Sequence, residues 1–166
     1  MPSPLGHALG GIAAGWIVAP PRESSKAELL RSGALFAAIA MFPDIDLLFN
    51  WHSGPTHSIG AAAIAGLAVG AVTRRPRLGA AAACAYASHV LFDWLNADTA
   101  PPYGVMALWP FGHEHYMSRL DIFAGTLRYY RPGFWAFNFK AGLRELLILV
   151  PIVWMVYRMR VKGRPD

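Results

Sequence analysis

The amino-acid sequence predicts an all-α protein, a helical membrane bundle of about four to five apolar helices with a long aromatic-rich connection before the last. Three observations predict it. Hydrophobic residues make up 55% of the chain and charged residues 15%, with a mean hydropathy of +0.33. Soluble domains carry about 25% charged residues. Second, the apolar residues gather into five runs without the period-two alternation of strands. Third, the basic residues sit in short clusters between those runs, which is how membrane segments are flanked. The 166 residues suit one domain, residues 1–166. A net charge of +5 and a pI near 9.7 would also suit a nucleic-acid binder. The clustering between apolar runs argues against that, and no nucleic-acid partner is expected. Cys84 is the single cysteine, which excludes a disulfide framework and a cysteine-based zinc knuckle. The first basic residue is Arg22, so no secretory leader with a basic start is expected.

Taken in order, the predicted helices cover about Leu5–Ala19, Gly33–Phe49, Ser58–Thr73, Leu78–Asn96 and Glu145–Met159. Each is long enough for a helix. A bilayer crossing takes about 17–25 apolar residues, so the first and last are short for one. Gly- and Ala-rich faces in the first, third and fourth suit close helix packing. Between the helices lie a polar basic loop at 20–32, a loop at 50–57 with no Lys or Arg, and a basic turn, "RRPR", at 74–77. Residues 97–144 form the long connection, rich in Pro and aromatics. A segment of that length in a compact domain is usually functional.

If all five runs cross, their connections alternate sides. The 20–32 loop, the 74–77 turn and the tail then share one side and hold ten of the fifteen Lys and Arg residues. That side is expected to be cytoplasmic. The N-terminus, the 50–57 loop and the long connection face outward. Placed on this topology, His7, Asp44, Asp46, His57, His89, Asp93 and Glu145 all fall at the outward ends of their helices. Seven ionisable groups from five separate runs converge on one level of one face.

Within the fourth run, "HVLFD" sets His89 and Asp93 one helical turn apart on one face. There they bind one metal together, or the carboxylate orients the imidazole. Imidazoles and carboxylates without thiolates suit zinc, manganese or iron. Three His and four carboxylates exceed what one tetrahedral zinc takes, which leaves room for two ions. Two-metal centres activate water and clamp both oxygens in phosphoester hydrolysis. Each group also has a plainer reading. His89 and Asp93 would make a buried pair fastening helices. Asp44 and Asp46 would terminate a helix at "FPD". Ser58 or Thr56 would cap the third helix beside an incidental His57, and Glu145 would pair with Arg144. His52, His113 and His115 read as surface or rim residues. Trp94, Tyr103, Trp109, Phe111, Trp135 and Phe137 read as an interfacial aromatic belt. A serine nucleophile elbow, a P-loop and a dinucleotide fingerprint do not occur in the sequence.

The motifs "GHALGG", "FPDIDLL", "GPTHS", "SHVLFDWLN", "YGVMALWPF" and "RELLILV" occur in this order. With them the chain resembles, over nearly its whole length, the YdjM family of bacterial inner-membrane, predicted metal-dependent hydrolases. It is more distantly similar to the all-helical zinc-dependent phospholipase C and S1/P1-type nucleases. The resemblance implies His7, His57, His89, Asp93 and Glu145 as metal ligands, and one of Asp44 and Asp46 as a ligand or general base. Those enzymes use further histidines before the late Glu, where this chain offers only His113 and His115. The expected activity is hydrolysis of a phosphoester or lipid-like substrate at the outer interface. Water made nucleophilic by the metal, with zinc expected first, attacks the bond, and Asp44 or Asp46 helps to deprotonate it. Membrane lipids are the expected surroundings. A transport or metal-handling protein, or a membrane factor with a purely structural metal, is the alternative.

Overall fold

Helix α1 (Pro4–Val18) starts where Ser3 accepts a hydrogen bond from the Gly6 amide at 3.2 Å, with Pro4 in the first turn. The computed structural model describes residues 1–22, 25–49, 53–98 and 101–162. Helix α2 (Lys26–Met41) begins at Ser25, whose hydroxyl accepts from Glu28 N at 3.3 Å. It therefore starts inside the expected 20–32 loop. Hydropathy missed its first turns because "KAELLR" is polar, although those residues are good helix formers. At Pro43, which has no amide hydrogen to donate, α2 passes into a 3-10 helix, Phe42–Phe49. The helix end of the plainer reading at "FPD" is thus a tightened continuation that carries Asp44 and Asp46 and reaches Phe49, where the expected second run ends.

Helix α3 (Ile59–Thr73) is capped by Ser58, which accepts from Ala61 N at 3.0 Å, so Ser58 and not Thr56 does the capping. It ends at Arg74 in the left-handed conformation, φ 54°. Helix α4 (Pro76–Trp94) follows with Pro in its first turn. Helix α5 (Phe134–Tyr157) starts well before the expected Glu145 and closes in a π-helical turn, Arg158–Lys162. Glu145 therefore lies within α5 and does not begin it, and the long connection ends at Gly133. All described regular structure is helical; two isolated bridges, Asn96 with Phe123 and Val105 with Tyr116, brace the connection.

Helix α1 packs against α2, α4 and α5, and α3 packs against α4. Small residues permit this closeness. A Cβ on Gly79 of α4 would stand 2.6 Å from the Gly66 carbonyl oxygen of α3, and one on Gly15 would enter the Phe36 ring. Trp16, Phe36, Ala81, Ala85 and Val156 fill one core, and Ala62, Tyr86, Val90 and Val105 a second. Arg77 Nε donates to Val18 O at 2.8 Å and Arg160 Nη2 to Ile17 O at 2.6 Å. These bonds hold the start of α4 and the end of α5 at the C-terminal end of α1. Cations suit that end, where helix carbonyls lack partners. The bundle thus has an arginine end and, at the start of α1, an end where the His and Asp residues gather.

Among the described residues one helical run, Lys26–Phe49, is long and apolar enough to cross a membrane. The shorter apolar helices α1 and α3 have 15 residues each. Such a helix spans about 22 Å, against a hydrocarbon core of about 30 Å. The expected bundle of four to five crossing helices therefore reduces, on length and composition, to one qualifying span in an all-helical fold.

Candidate metal centre

The donors reach the centre from four different parts of the fold. His7 lies one turn into α1, Asp44 and Asp46 on the 3-10 helix, His57 just before α3, and His89 and Asp93 in the last turns of α4. His7, His57 and His89 are fully buried, Asp93 and Asp46 nearly so, and Asp44 keeps 15% of its side chain exposed. His89 Nε2 lies 3.0 Å from Asp93 Oδ2 and 3.6 Å from Asp44 Oδ1. His57 Nε2 lies 3.3 Å from Asp93 Oδ2 and 3.6 Å from Asp44 Oδ1. His7 Nε2 stands 3.4 Å from the other Asp93 oxygen, and its ring stacks on His89 with centroids 3.8 Å apart.

The outer nitrogens are tied off. His89 Nδ1 donates to the Ala40 carbonyl at 2.7 Å, which leaves Nε2 with its lone pair toward the centre. His57 Nδ1 lies 3.1 Å from Asp46 Oδ2. That carboxylate also accepts from Thr56 Oγ1 at 2.8 Å, and Tyr86 donates to the Thr56 carbonyl at 2.8 Å. The loop bearing His57 is clamped further by the long connection, through Met106 N to Ser53 O and Ile59 N to Ala107 O. Burial alone lowers the His57 pKa. The Asp44, Asp46 and Asp93 carboxylates outweigh it and raise the pKa from 6.5 to about 9.

These residues fit a divalent metal on two counts. Both nitrogens of His7, Asp44 Oδ1, His89 Nε2 and both oxygens of Asp93 are buried without a hydrogen-bond partner among the described residues. Burying polar atoms without a hydrogen bond is costly, and a cation at the centre would offset that cost. The distances agree as well. Donors about 2.05 Å from one tetrahedral ion stand about 3.3 Å apart, and the four separations around His57, His89, Asp44 and Asp93 run from 3.0 to 3.6 Å. Two donor groups, His7–Asp44–His89 and His57–His89–Asp93, each keep their ligand atoms within 4.8 Å of one another. Both groups include His89.

The structure thus brings together His7, Asp44, His57, His89 and Asp93, with Asp46 behind His57. It does not bring Glu145 into the donor groups. Glu145 is buried in α5, where Oε1 accepts from Ser3 N at 2.8 Å and Oε2 from the Ser3 hydroxyl, so it braces the start of α1. His113 and His115 are exposed, and His52 lies outside the described residues. Among the expected belt aromatics, Phe111 and Trp135 are almost wholly exposed. Sequence reasoning missed Tyr86, Ser3 and the Ala40 carbonyl. Tyr86 alone left a signal, as a hydroxyl in an Ala-rich run one turn before His89.

An all-helical chain whose helix ends converge on buried imidazoles and carboxylates defines a helical protein with a candidate metal centre. More particularly, the chain belongs to the YdjM inner membrane protein family, whose sequence model matches residues 1–163. The family description is that of an inner membrane protein. Comparison with curated proteins and with solved structures gives no match.

Proposed function

We propose that this protein is a multi-pass inner-membrane hydrolase that uses a divalent metal, zinc first among the candidates, to cleave a phosphoester or lipid-like substrate. The observation that carries the proposal is the convergence of five donors, four of them buried, with both Asp93 oxygens lacking any hydrogen-bond partner among the described residues. His57, His89, Asp44 and Asp93 would hold the ion, with His7 as a further donor. A divalent ion so held supplies Lewis acidity and brings the pKa of water toward neutrality.

The chain's own residues then have separable tasks. Ala40 and Asp46 hold the two imidazoles in the tautomer that presents Nε2. Asp93 sits between His7, His57 and His89 and fixes their spacing. Asp44, the partly exposed member of the cluster, is placed to take a proton from arriving water. A cavity of about 820 Å³ flanks the segment that carries Asp44 and Asp46. Leu47, Ser53, Arg128 and Arg131 line it, which suits an anionic substrate with an apolar portion.

Several features support a multi-pass reading with the centre on the outer side. The family is an inner-membrane one, α1 to α5 alternate in direction, and the basic residues gather at the end away from the cluster. Large apolar side chains such as Leu67, Phe139, Leu147 and Trp154 are exposed along the helices.

The test is elemental analysis of the purified chain beside His89→Ala and Asp93→Ala variants, followed by phosphodiester and phospholipid hydrolysis assays. One stoichiometric metal, lost in both variants together with turnover, is the expected result. Metal bound in the wild type without turnover on either substrate class would leave a structural metal and overturn the hydrolase reading.

A further inference from the structure

A larger cavity lies at the other end of the bundle. It measures about 1020 Å³ and opens between the end of α1, the start of α2 and the α3–α4 turn. Arg22, Arg31, Arg74, Arg75 and Arg77 line it, all of them exposed. Glu28 is the single carboxylate among its described lining residues. No described carboxylate lies within ion-pair distance of any of the five guanidinium groups. Arg77 is fastened to the Val18 carbonyl and has a structural task. Arg31, Arg74 and Arg75 have no such bond among the described residues.

Five cations around one cavity repel one another unless an anion joins them. Guanidinium forks match phosphate oxygens in geometry and charge. The cavity is also amphipathic, since Leu35, Phe36 and Leu78 line it beside the arginines. Nearby, Leu30 is 72% and Val72 85% exposed. A free phosphate has no use for an apolar wall, whereas a phospholipid offers an anionic head with attached chains. The cavity lies at the beginning of Lys26–Phe49, the run long and apolar enough to cross a membrane. Headgroups would meet that run there. Along α1 it is also remote from the metal cluster, because the twelve residues from His7 to Ala19 rise about 18 Å.

We infer that this arginine-lined groove binds the phosphate of an anionic phospholipid headgroup, as a site separate from the metal centre. Basic pockets between membrane helices hold such headgroups elsewhere. The site ties the arginine end to the leaflet it faces and sets the depth at which the opposite cluster stands.

The test uses the full metal-loaded chain in neutral detergent, titrated with phosphatidylglycerol or phosphatidylcholine in mixed micelles. Bound lipid is read by native mass spectrometry and stability by thermal unfolding, with inorganic phosphate as a third arm. Phosphatidylglycerol is expected to bind and raise the Tm, and phosphatidylcholine is not. A combined Arg31→Gln, Arg74→Gln, Arg75→Gln variant is expected to bind about a hundredfold more weakly, at about fivefold per arginine. Its metal content, unchanged, shows that it has folded. If that variant fails to fold, Arg75→Gln alone is expected to bind about fivefold more weakly, and wild-type binding to fall steeply with salt. Equal binding of the two lipids, or unaltered binding in a folded variant, overturns the inference. Protection by inorganic phosphate as strong as that by phosphatidylglycerol assigns the site to a soluble anion and overturns the lipid.

Discussion

Replacing Asp46 by Asn tests whether this carboxylate acts through His57 or on the metal itself. Asp46 Oδ2 lies 3.1 Å from His57 Nδ1 and accepts from Thr56 Oγ1 at 2.8 Å. Asparagine keeps one oxygen as an acceptor but removes the negative charge that makes the imidazole a stronger ligand. A hydrogen bond to a charged partner contributes about 1.5–3 kcal/mol. Loss of such an outer partner weakens metal affinity by about 10- to 100-fold. At 1.36 kcal/mol per decade that is about 1.4–2.7 kcal/mol, so the two routes agree. The assay is competition for zinc between the purified chain and a chromophoric chelator of known affinity, with the zinc-to-protein ratio measured separately. The expected outcome is a weakened affinity at unchanged stoichiometry, with Thr56→Val showing a smaller loss in the same direction. Loss of the stoichiometric ion, as for Asp93→Ala, would make Asp46 a direct ligand. An unaltered affinity would remove it from the site altogether. Either result refutes the assignment.

Three further outcomes are expected. Glu145→Ala keeps its metal but unfolds at a lower temperature, because Ser3 loses its acceptor at a cost of about 1–3 kcal/mol; loss of the metal would restore Glu145 to the ligand set that the sequence suggested. Gly79→Val forces a side chain against the Gly66 carbonyl, and overpacking of about 1–3 kcal/mol, at about 2–4 °C per kcal/mol, lowers the Tm by several degrees; an unchanged Tm would mean that α3 and α4 are not in close contact. In the metal-free protein the His57 pKa stands near 9, above its ordinary 6.5. The stabilisation it contributes is then complete below pH 6.5 and is lost as the pH rises through 9. The Tm of metal-free wild type should fall across that window and that of His57→Gln should not. A parallel decline in both would point to another group.

Much of the site could be read in the sequence because helices running alternately up and down bring every second helix end to the same level. Counting basic residues was enough to place His7, Asp44, Asp46, His57, His89 and Asp93 together, without knowledge of any contact. The same counting placed Glu145 among them, because the fifth helix was taken to begin there. Its true start at Phe134 lies in an aromatic, charge-bearing segment that hydropathy reads as connection. The polar first turns of α2 were missed for a related reason. Local helix propensity and capping started that helix, whereas the apolar run that marks its buried part begins later.

Composition and apolar periodicity by themselves determined that the chain is helical, that its arginines gather apart from its histidines, and which elements carry the donors. Those properties follow from residue order and the fixed rise of a helix. The tertiary structure alone decided what each donor does. His89 is oriented by a carbonyl 49 residues away, at Ala40. Asp46 turns to His57 while Asp44 faces the cluster, and Glu145 turns to Ser3. Such choices depend on the rotation of each helix about its axis and on backbone groups from other helices, which residue order does not encode locally. Close Gly–Gly and Gly–Phe approaches let those helices pack together, and the donors they carry stand 3.0–3.6 Å apart at the candidate metal centre.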